Sequence, residues 1–271
     1  MYYHKENPAK ELEPFVECYF FMGSGQGPVT NFEIESPPSG FPGMVFNFGD
    51  PYRVQSNRGR AVTLPRSFVI GQTTQRYILQ FNGVIDLVGI VFKPTGLYRL
   101  FGFSMPSLID KRRDVSEVLD ESMVKMYEQL ACSEGSLKEK VKIINRFLEI
   151  QHKKSNAVFE TFDKSLELID ERGNVTVKQL ADYCSMSNRT YQRKFTEMVG
   201  VSPKLYTKLR RMSMICSMMS YTDSIDWQEV VHMGGYFDQS HFIKEFHGFI
   251  GRKPTLYFQK NKELIHYLDD E

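Results

Sequence analysis

The spacing of apolar and polar residues divides the chain into a strand-like first part and a helical second part. In the first part, short apolar runs are separated by Gly, Pro and Asn, as in residues 44–51, 68–71 and 77–83. The run 84–92, VIDLVGIVF, is rich in β-branched residues and predicts a core strand. Repeated short strands with turn signals favour a barrel or a sandwich over alternating strands and helices.

The apolar pattern becomes helical around Pro94. It predicts a short helix over 95–101 and longer helices over 114–130 and 136–151. Residues spaced three and four apart give the last of these one narrow apolar stripe: Leu137, Val141, Ile144 and Leu148. We expect this stripe to pack on the β domain, with a dimer contact as the alternative. The polar residues 152–156 are the predicted linker.

From about residue 159 onward the pattern predicts only helices joined by tight turns. One helix is predicted over 175–184, and Ser187 is suited to cap the next, over 188–199. Steps of four residues give that helix an apolar stripe: Tyr191, Phe195 and Val199. Gly200 ends it, and a long helix over 203–219 follows, with proline at its first position.

This helical unit occurs twice. Four residues recur at an offset of 51: Phe195, Gly200, Pro203 and Tyr206 match Phe246, Gly251, Pro254 and Tyr257. Ser187 matches Asp238, and both residue types are good helix caps. Upstream, Leu180-Ala181 matches Val230-Val231 at an offset of 50, so the second turn, residues 234–237, contains one extra residue. The repeat predicts one structural unit built twice.

Two helices joined by a tight turn, the second with a polar face, form a helix-turn-helix. In such units the first helix is a support, and the second presents side chains to a major groove about 12 Å wide. A helical packing domain without a ligand is the alternative. The duplication, the polar faces and the charge favour DNA binding. Residues 164–260 hold 14 Lys and Arg against 10 Asp and Glu, although the whole chain has a net charge of +1.

Composition argues against several other classes of function. The four cysteines are far apart, which argues against a disulfide framework or a zinc site. Residues 5–151 contain no histidine, which excludes a histidine-based metal cupin and a Ser/His or Cys/His catalytic pair there. We therefore expect no enzyme activity, no metal and no cofactor. The sequence has no apolar run of signal-peptide or membrane-spanning type, so we expect a cytoplasmic protein without membrane contact.

The C-terminal pair of units resembles the AraC/XylS family of bacterial transcription regulators. The residues that carry the resemblance lie in the second unit: Val230, Val231, Gly235, Tyr236, Asp238, Ser240, Phe242, Phe246, Gly251 and Pro254. Val231 stands where the family has Ala, Tyr236 where it has Phe, and residues 245–247 where it has a more basic Phe-Lys. The resemblance covers about residues 160–260. It implies two helix-turn-helix units joined by one long helix.

The resemblance also implies roles for individual residues. The predicted base contacts are Arg189, Gln192, Arg193, Gln239, Ser240 and Lys244. Independently, Arg189 and Arg193 are four residues apart and share a helix face. Arg suits guanine and Gln suits adenine. The predicted phosphate contacts are Lys194, Lys204, Lys208, Arg210, Arg211 and His241, with a solvated surface as the alternative for each lysine. The predicted core residues are Tyr191, Phe195, Phe242 and Phe246.

The first 155 residues are similar to an N-terminal domain of unknown function that precedes this DNA-binding module in some family members. The similarity rests on residues 45–51, 71–73 and 89–96. It implies that the domain senses a small molecule, dimerises, or does both. A ligand pocket would be lined by Phe46, Phe48, Tyr77, Phe81 and Phe92, and a filled core would use the same residues.

The sequence thus predicts two domains: a β-rich, barrel-like domain with flanking helices over 1–155, and an all-α AraC-type DNA-binding domain over 160–261. The predicted function is sequence-specific transcription regulation. Two recognition helices would read adjacent major-groove segments of double-stranded DNA, under control of a small effector bound by the N-terminal domain. The alternative is a regulator whose N-terminal domain only dimerises or docks a protein partner. RNA polymerase and a second copy of the chain are further candidate partners.

Overall fold

A computed structural model of the protein describes residues 1–57, 59–117, 121–133, 136–172, 175–220 and 226–259. A strand-rich N-terminal part is followed by a helical C-terminal part, which confirms the predicted fold class. Residues 118–120, within the helix predicted over 114–130, lie outside the described residues. So does residue 261, the predicted end of the DNA-binding domain.

The strands form two antiparallel sheets. The six-stranded sheet has the order β1-β2-β9-β4-β7-β10: Tyr2–Glu6, Val16–Gly23, Asp86–Phe92, Gly43–Asn47, Ser67–Ile70 and Arg112–Asp114. The four-stranded sheet has the order β3-β8-β5-β6: Val29–Ser36, Tyr77–Gly83, Arg53–Ser56 and Val62–Thr63. The predicted barrel-like shape therefore takes the form of two sheets rather than a closed ring. Side chains from both sheets pack between them, including Met22, Val54, Phe68 and Phe81.

Three α-helices cover the other face of the six-stranded sheet: α1 (Gly96–Phe101), α2 (Glu121–Cys132) and α3 (Leu137–Ser155). Ile144 and Leu148 of α3 are buried there, with Leu137 and Val141 packed against the same core. This confirms that the apolar stripe of α3 packs on the β domain.

Two predicted boundaries in this region are wrong. Residues Arg112–Asp114 are a strand, because they pair antiparallel with residues 68–70 of β7, and Val115–Glu117 form a 3-10 helix, so the predicted α-helix start at residue 114 is wrong. The predicted linker begins too early, because α3 continues to Ser155. Asn156, in a left-handed conformation with φ 50°, then ends the helix.

The C-terminal part includes α4 (Thr161–Arg172), α5 (Val177–Tyr183), α6 (Asn188–Val199), α7 (Pro203–Ser220), α8 (Trp227–Met233) and α9 (Gln239–Ile250). Residues 254–259 are also helical. The α5–α6 pair and the α8–α9 pair are the two predicted units, and α7 is the long helix between them. Residues of both units share one core, which buries the four predicted aromatics Tyr191, Phe195, Phe242 and Phe246 completely.

A buried polar contact joins the two parts of the chain. Asp163 of α4 accepts hydrogen bonds from the Thr95 hydroxyl (2.6 Å) and from the Arg99 guanidinium (2.8 Å). Asp163 is almost completely buried, and a buried carboxylate is stable only when it is paired. Helix α4 is therefore fixed on the N-terminal part beside α1.

Candidate nucleic-acid interface

The first unit is ordered by side-chain caps at both of its helices. Thr176 and Gln179 form a capping box at the start of α5. The turn passes through Ser185, whose φ is 53°. Ser187 then caps α6, its hydroxyl accepting from the Thr190 N–H at 3.2 Å. These contacts fix the direction in which α6 leaves the turn, and they confirm Ser187 as the cap.

Helix α6 presents the predicted readers of the first unit to solvent. Arg189, Gln192 and Arg193 are all exposed. The Arg193 side chain is 74% exposed and lies 3.9 Å from Glu197, one turn further along the helix. An exposed pair of this kind contributes little to stability, so the guanidinium can exchange Glu197 for a base or a phosphate at small cost.

The second unit repeats this geometry with one residue more. Asp226 caps α8, accepting from the N–H groups of Gln228 and Glu229. Gly235 has φ 63° in the turn, a conformation that glycine adopts without strain. Asp238 caps α9, accepting from the His241 N–H at 2.7 Å, which confirms its predicted role. The turn before α9 therefore has the same two features as the turn before α6: a residue with positive φ and a side-chain cap.

The exposed surface of α9 includes all its predicted contacts. Gln239, Ser240, His241 and Lys244 are exposed, and the His241 ring packs edge-on against Tyr236 at 5.2 Å. Sequence reasoning missed Ile243, which is exposed on the same helix. The offset of 51 that pairs Tyr191 with Phe242 also pairs Gln192 with Ile243, and this signal was available in the repeat.

Most of the predicted phosphate contacts are engaged within the protein. Lys204 and His241 are exposed. The other four form short ion pairs: Lys194 with Glu160 (3.0 Å), Lys208 with Glu245 (2.6 Å), Arg210 with Asp170 (2.7 Å) and Arg211 with Glu245 (2.6 Å). A phosphate contact by any of these four would require its ion pair to open.

Glu245 is the centre of the polar contacts inside the second unit. Its carboxylate accepts from Lys208 and Arg211 of α7 and from the Tyr236 hydroxyl. Burial by itself raises the pKa of Glu245, but the hydrogen bond from Lys208 and the charge of Arg211 outweigh it, and the pKa falls below its usual value. The departure from the family pattern at residue 245 thus has a structural role, because it attaches α9 to α7.

The N-terminal part holds the end of α9. The Phe249 carbonyl accepts from the Arg76 backbone N–H at 3.0 Å and from the Asn57 amide at 3.3 Å. The Arg76 guanidinium donates to the Ile250 carbonyl and pairs with buried Glu35 at 2.7 Å. These donors satisfy carbonyls that a helix leaves unpaired at its C-terminus. The end of α9 is therefore held by Asn57, which follows β5, and by Arg76, which precedes β8 and is itself paired with Glu35 of β3.

Separate contacts hold α6 and its neighbours. Glu160 pairs with Arg99 of α1 and Lys194 of α6, and their hydrogen bonds lower its pKa to about 2. The Tyr98 hydroxyl donates to Glu197 at 2.9 Å. Gly200, with φ 99°, ends α6 where a Cβ atom would lie 3.0 Å from the Met105 carbonyl oxygen. Both recognition helices thus contact the N-terminal part.

An apolar cavity of about 340 Å³ lies between the two sheets. Its wall includes Ile34, Val45 and Leu79. Among the described lining residues Arg112 alone is charged; its guanidinium stacks on the Tyr77 ring at 4.4 Å. Its Nη2 atom is shielded from solvent and makes no hydrogen bond to a described residue. The cavity therefore combines apolar walls with one unsatisfied cationic donor.

The predicted pocket residues require correction, because only Tyr77 of the five lines this cavity. Phe46 and Phe92 lie in the core on the helical face of the six-stranded sheet. Phe48 packs on Tyr127 of α2 at 5.0 Å, and Phe81 packs on Tyr52 at 4.8 Å within the inter-sheet core. Side chains alternate between the two faces of a sheet along each strand, so the strand register determines which face an aromatic residue occupies. The sequence alone does not determine that register.

Two protein-family models match the chain. A domain of unknown function, DUF6597, matches residues 4–114. A helix-turn-helix domain of AraC type matches residues 180–260. The combination confirms the resemblance found in the sequence, and the helix-turn-helix match covers both units. No match was found among curated proteins.

Similar solved structures include two of ToxT and one of a DNA-binding domain. ToxT from Vibrio cholerae is 14% identical, with a TM-score of 0.47 over 92% of this chain and 99% of that one. ToxT with a bound unsaturated fatty acid is 12% identical, with a TM-score of 0.46 over 88% and 94%. The AdpA DNA-binding domain, in complex with a target DNA, is 20% identical, with a TM-score of 0.36 over 39% and 96%.

Within the described part of the chain, no helix is long and apolar enough to cross a membrane.

Proposed function

We propose that this chain, an AraC-type DNA-binding transcription regulator with a DUF6597 domain ahead of its helix-turn-helix domain, reads two adjacent major-groove segments with α6 and α9. The observation that carries the proposal is the division of each helix into two faces. The aromatic face of each is buried in one shared core, and the opposite face holds the exposed polar residues. A shared core fixes the two reading faces relative to each other.

The chemistry of α6 suits hydrogen-bonded base recognition. Arg189 and Arg193 can each donate two hydrogen bonds to guanine, and Gln192 can bond adenine in the same bidentate way. On α9, Gln239, Ser240 and Lys244 offer hydrogen bonds to base edges. Lys204 and His241 are the exposed candidates for phosphate contacts, which set register without reading sequence.

The test begins with selection of a binding site from random duplex DNA by the purified full chain. We expect one enriched site with two conserved segments about one helical turn apart. Arg193→Ala should remove specific retention of this site in a gel shift, whereas the exposed Glu171→Ala, on α4, should leave it intact. Enrichment of no sequence, or unchanged specificity in Arg193→Ala, would contradict the proposed reading.

We further propose that a small ligand in the inter-sheet cavity controls DNA binding. The lining supports an apolar molecule that carries one acidic group. Apolar walls would hold its body, and Arg112 would accept its anionic end, because an unsatisfied buried guanidinium is costly until it is paired. A ligand of this type would thus gain both hydrophobic and ionic contacts.

Residues next in the chain to the cavity wall hold the C-terminal end of α9, directly or through one ion pair. Glu35, which pairs with Arg76 and Arg252, lies between the wall residues Ile34 and Ser36. Arg76, which holds the end of α9, precedes the wall residue Tyr77. Successive side chains of a strand point to opposite faces, so a shift of β3 or β8 at the cavity also moves the groups that hold α9.

The Ser39 to Phe41 segment provides the same kind of connection to α7. Ser39 and Phe41 line the cavity. Arg210 of α7 donates to the Ser39 carbonyl at 2.5 Å and stacks over the Phe41 ring at 4.2 Å. An occupant of the cavity would therefore meet residues that also contact the helix joining the two units.

A ligand screen by thermal unfolding tests this second proposal. Straight-chain carboxylic acids should raise the unfolding temperature, and the alcohols of equal length should not, because only the acid pairs with Arg112. Arg112→Gln should remove the difference. If neither series stabilises the protein, the alternative is favoured: the N-terminal domain dimerises or docks a partner such as RNA polymerase. Light scattering and a pull-down with RNA polymerase would then separate those two roles.

A further inference from the structure

The extra residue of the second unit can be located from backbone hydrogen bonds. In the first unit, Met186 N–H donates to the Ala181 carbonyl at 2.9 Å, and the cap Ser187 follows immediately. In the second unit, Tyr236 N–H makes the equivalent bond to the Val231 carbonyl at 3.0 Å. One residue, Phe237, then separates Tyr236 from the cap. The inserted residue is therefore Phe237.

Phe237 is the most exposed large apolar residue of the described chain. It is 93% exposed, whereas its neighbour Tyr236 is 6% exposed and lies in the shared core. Exposing a whole aromatic ring to water forfeits the free energy that burial would give. The position also matters, because Phe237 directly precedes the cap of α9 and so lies at the end of that helix where Gln239 and Ser240 are found.

A second exposed apolar residue lies on α9 itself. Ile243 stands at the position that Gln192 occupies in α6, and it is 36% exposed. The second unit thus has apolar side chains at the insertion and at one reader position. In the first unit, half-buried Met186 directly precedes the cap, so Phe237 has no counterpart there, and the position of Ile243 is occupied by exposed Gln192.

We infer that the second unit reads thymine through its C5-methyl group, with Ile243 and Phe237 as the specificity-determining residues. The inference rests on the proposed function, because it assigns a chemical target to the face of α9. The C5-methyl group of thymine is the apolar feature of the major groove, and apolar side chains contact it there. Burying Ile243 and Phe237 against thymine methyls would remove their exposed surface from water. The DNA segment that α6 contacts (the α6 segment) is read through hydrogen bonds instead, and the DNA segment that α9 contacts is called the α9 segment.

The test replaces each thymine of the selected site, one at a time, by deoxyuridine. Deoxyuridine keeps the base pair and removes only the methyl group. For the wild-type chain we expect a roughly fourfold loss of affinity at one or more thymines of the α9 segment, the effect of one methyl-sized group. Phe237→Ala and Ile243→Ala should each bind the thymine site more weakly and lose the response to deoxyuridine at one position.

Matched variants distinguish loss of the thymine methyl contact from a general effect of substitution on folding or DNA binding. Phe237→Leu keeps an apolar side chain and should keep the deoxyuridine response. Leu256→Ala removes an apolar residue outside the two units whose exposure, 57%, lies between those of Ile243 and Phe237, and this variant should match the wild type. Selection of no specific site would overturn the proposed function and this inference with it. A specific site whose deoxyuridine profile is the same in wild type, Phe237→Ala and Ile243→Ala would overturn the inference alone.

Discussion

The two helix-turn-helix units have the same backbone plan and different surfaces. Both have a side-chain cap, a left-handed residue in the turn and a buried aromatic stripe. The exposed face of α6 has two arginines and a glutamine, whereas α9 has a single lysine and an exposed isoleucine. The comparison teaches that a duplicated scaffold can keep its core while each copy acquires its own surface chemistry.

One repeat position shows how far the copies have diverged. Lys194 in α6 and Glu245 in α9 are equivalent at the offset of 51. Lys194 pairs outward with Glu160, near the N-terminal part. Glu245 pairs inward with two cations of α7. At this position the first unit therefore forms an ion pair towards the N-terminal part, whereas the second unit forms ion pairs with α7, the helix between the units.

The largest effect should come from removing the charge at this position of the second unit. The Glu245 side chain is 6% exposed, so Glu245→Ala leaves Arg211 partly buried without its partner. We expect a loss of about 3 kcal/mol or more in the free energy of unfolding, measured in urea. Glu160→Ala, at a side chain that is 46% exposed, should cost about 1 kcal/mol or less. Equal losses of unfolding free energy in the two variants would contradict the claim that the buried ion pairs of Glu245 contribute more to stability than the exposed pairs of Glu160.

The second-largest difference should be in how the two recognition helices contribute to base recognition. Arg193→Ala removes a bidentate donor, and we expect a loss of about 1–3 kcal/mol in binding free energy that is confined to the selected site. Lys244→Ala should weaken binding to the selected site less, since a lysine lacks the planar fork with which an arginine makes a bidentate contact. Anisotropy titrations on specific and scrambled duplexes measure both. Arg193→Lys is the control that keeps the charge, and full activity in this variant would argue against bidentate recognition.

The two caps provide a smaller comparison. Ser187→Ala and Asp238→Ala should each cost about 1 kcal/mol of stability. We expect the larger loss for Asp238, because its carboxylate accepts at 2.7 Å and also interacts with the positive end of the helix dipole, whereas the Ser187 hydroxyl accepts at 3.2 Å. Urea unfolding of both variants gives the order. A larger loss for Ser187→Ala would contradict the prediction that Asp238 is the stronger cap.

The smallest effect is a dependence of stability on pH through Glu160. Arg99 and Lys194 lower its pKa to about 2 from the usual value of 4.5. A lowered pKa means that the folded protein favours the charged form. The stabilisation is therefore complete above pH 4.5 and is lost as the pH falls towards 2. Wild type should lose more stability than Glu160→Gln over this interval, and parallel profiles would contradict the ion pairs.

The repeat and its local contacts could be predicted from the sequence. Ser187, Asp238 and the aromatic stripes depend on residues three or four apart, and such spacings are visible in the chain itself. Glu245 could not be interpreted in this way, because its partners Lys208 and Arg211 lie on another helix. The sequence could only present it as a departure from a basic pattern.

The cavity and the inserted residue were also beyond sequence reasoning. The sequence does not show which face of a sheet each N-terminal aromatic occupies until the strand register is known. Pocket and filled core therefore remain alternatives for Phe46 and Phe92 in the sequence, and in the structure both residues lie in the core. Tyr236 and Phe237 are adjacent aromatics, and only the backbone hydrogen bonds decide which one is inserted. Burial then separates them, since one is in the core and the other is in solvent.

The most direct test of the central claim is an interference footprint of the full chain on its selected site. Guanine methylation at N7 blocks contacts from arginine, and deoxyuridine substitution removes thymine methyl contacts. We predict methylation interference in one segment and deoxyuridine interference in the other, with centres about one helical turn apart. Both kinds of interference in both segments, or interference in a single segment only, would contradict a reader with two chemically distinct helices.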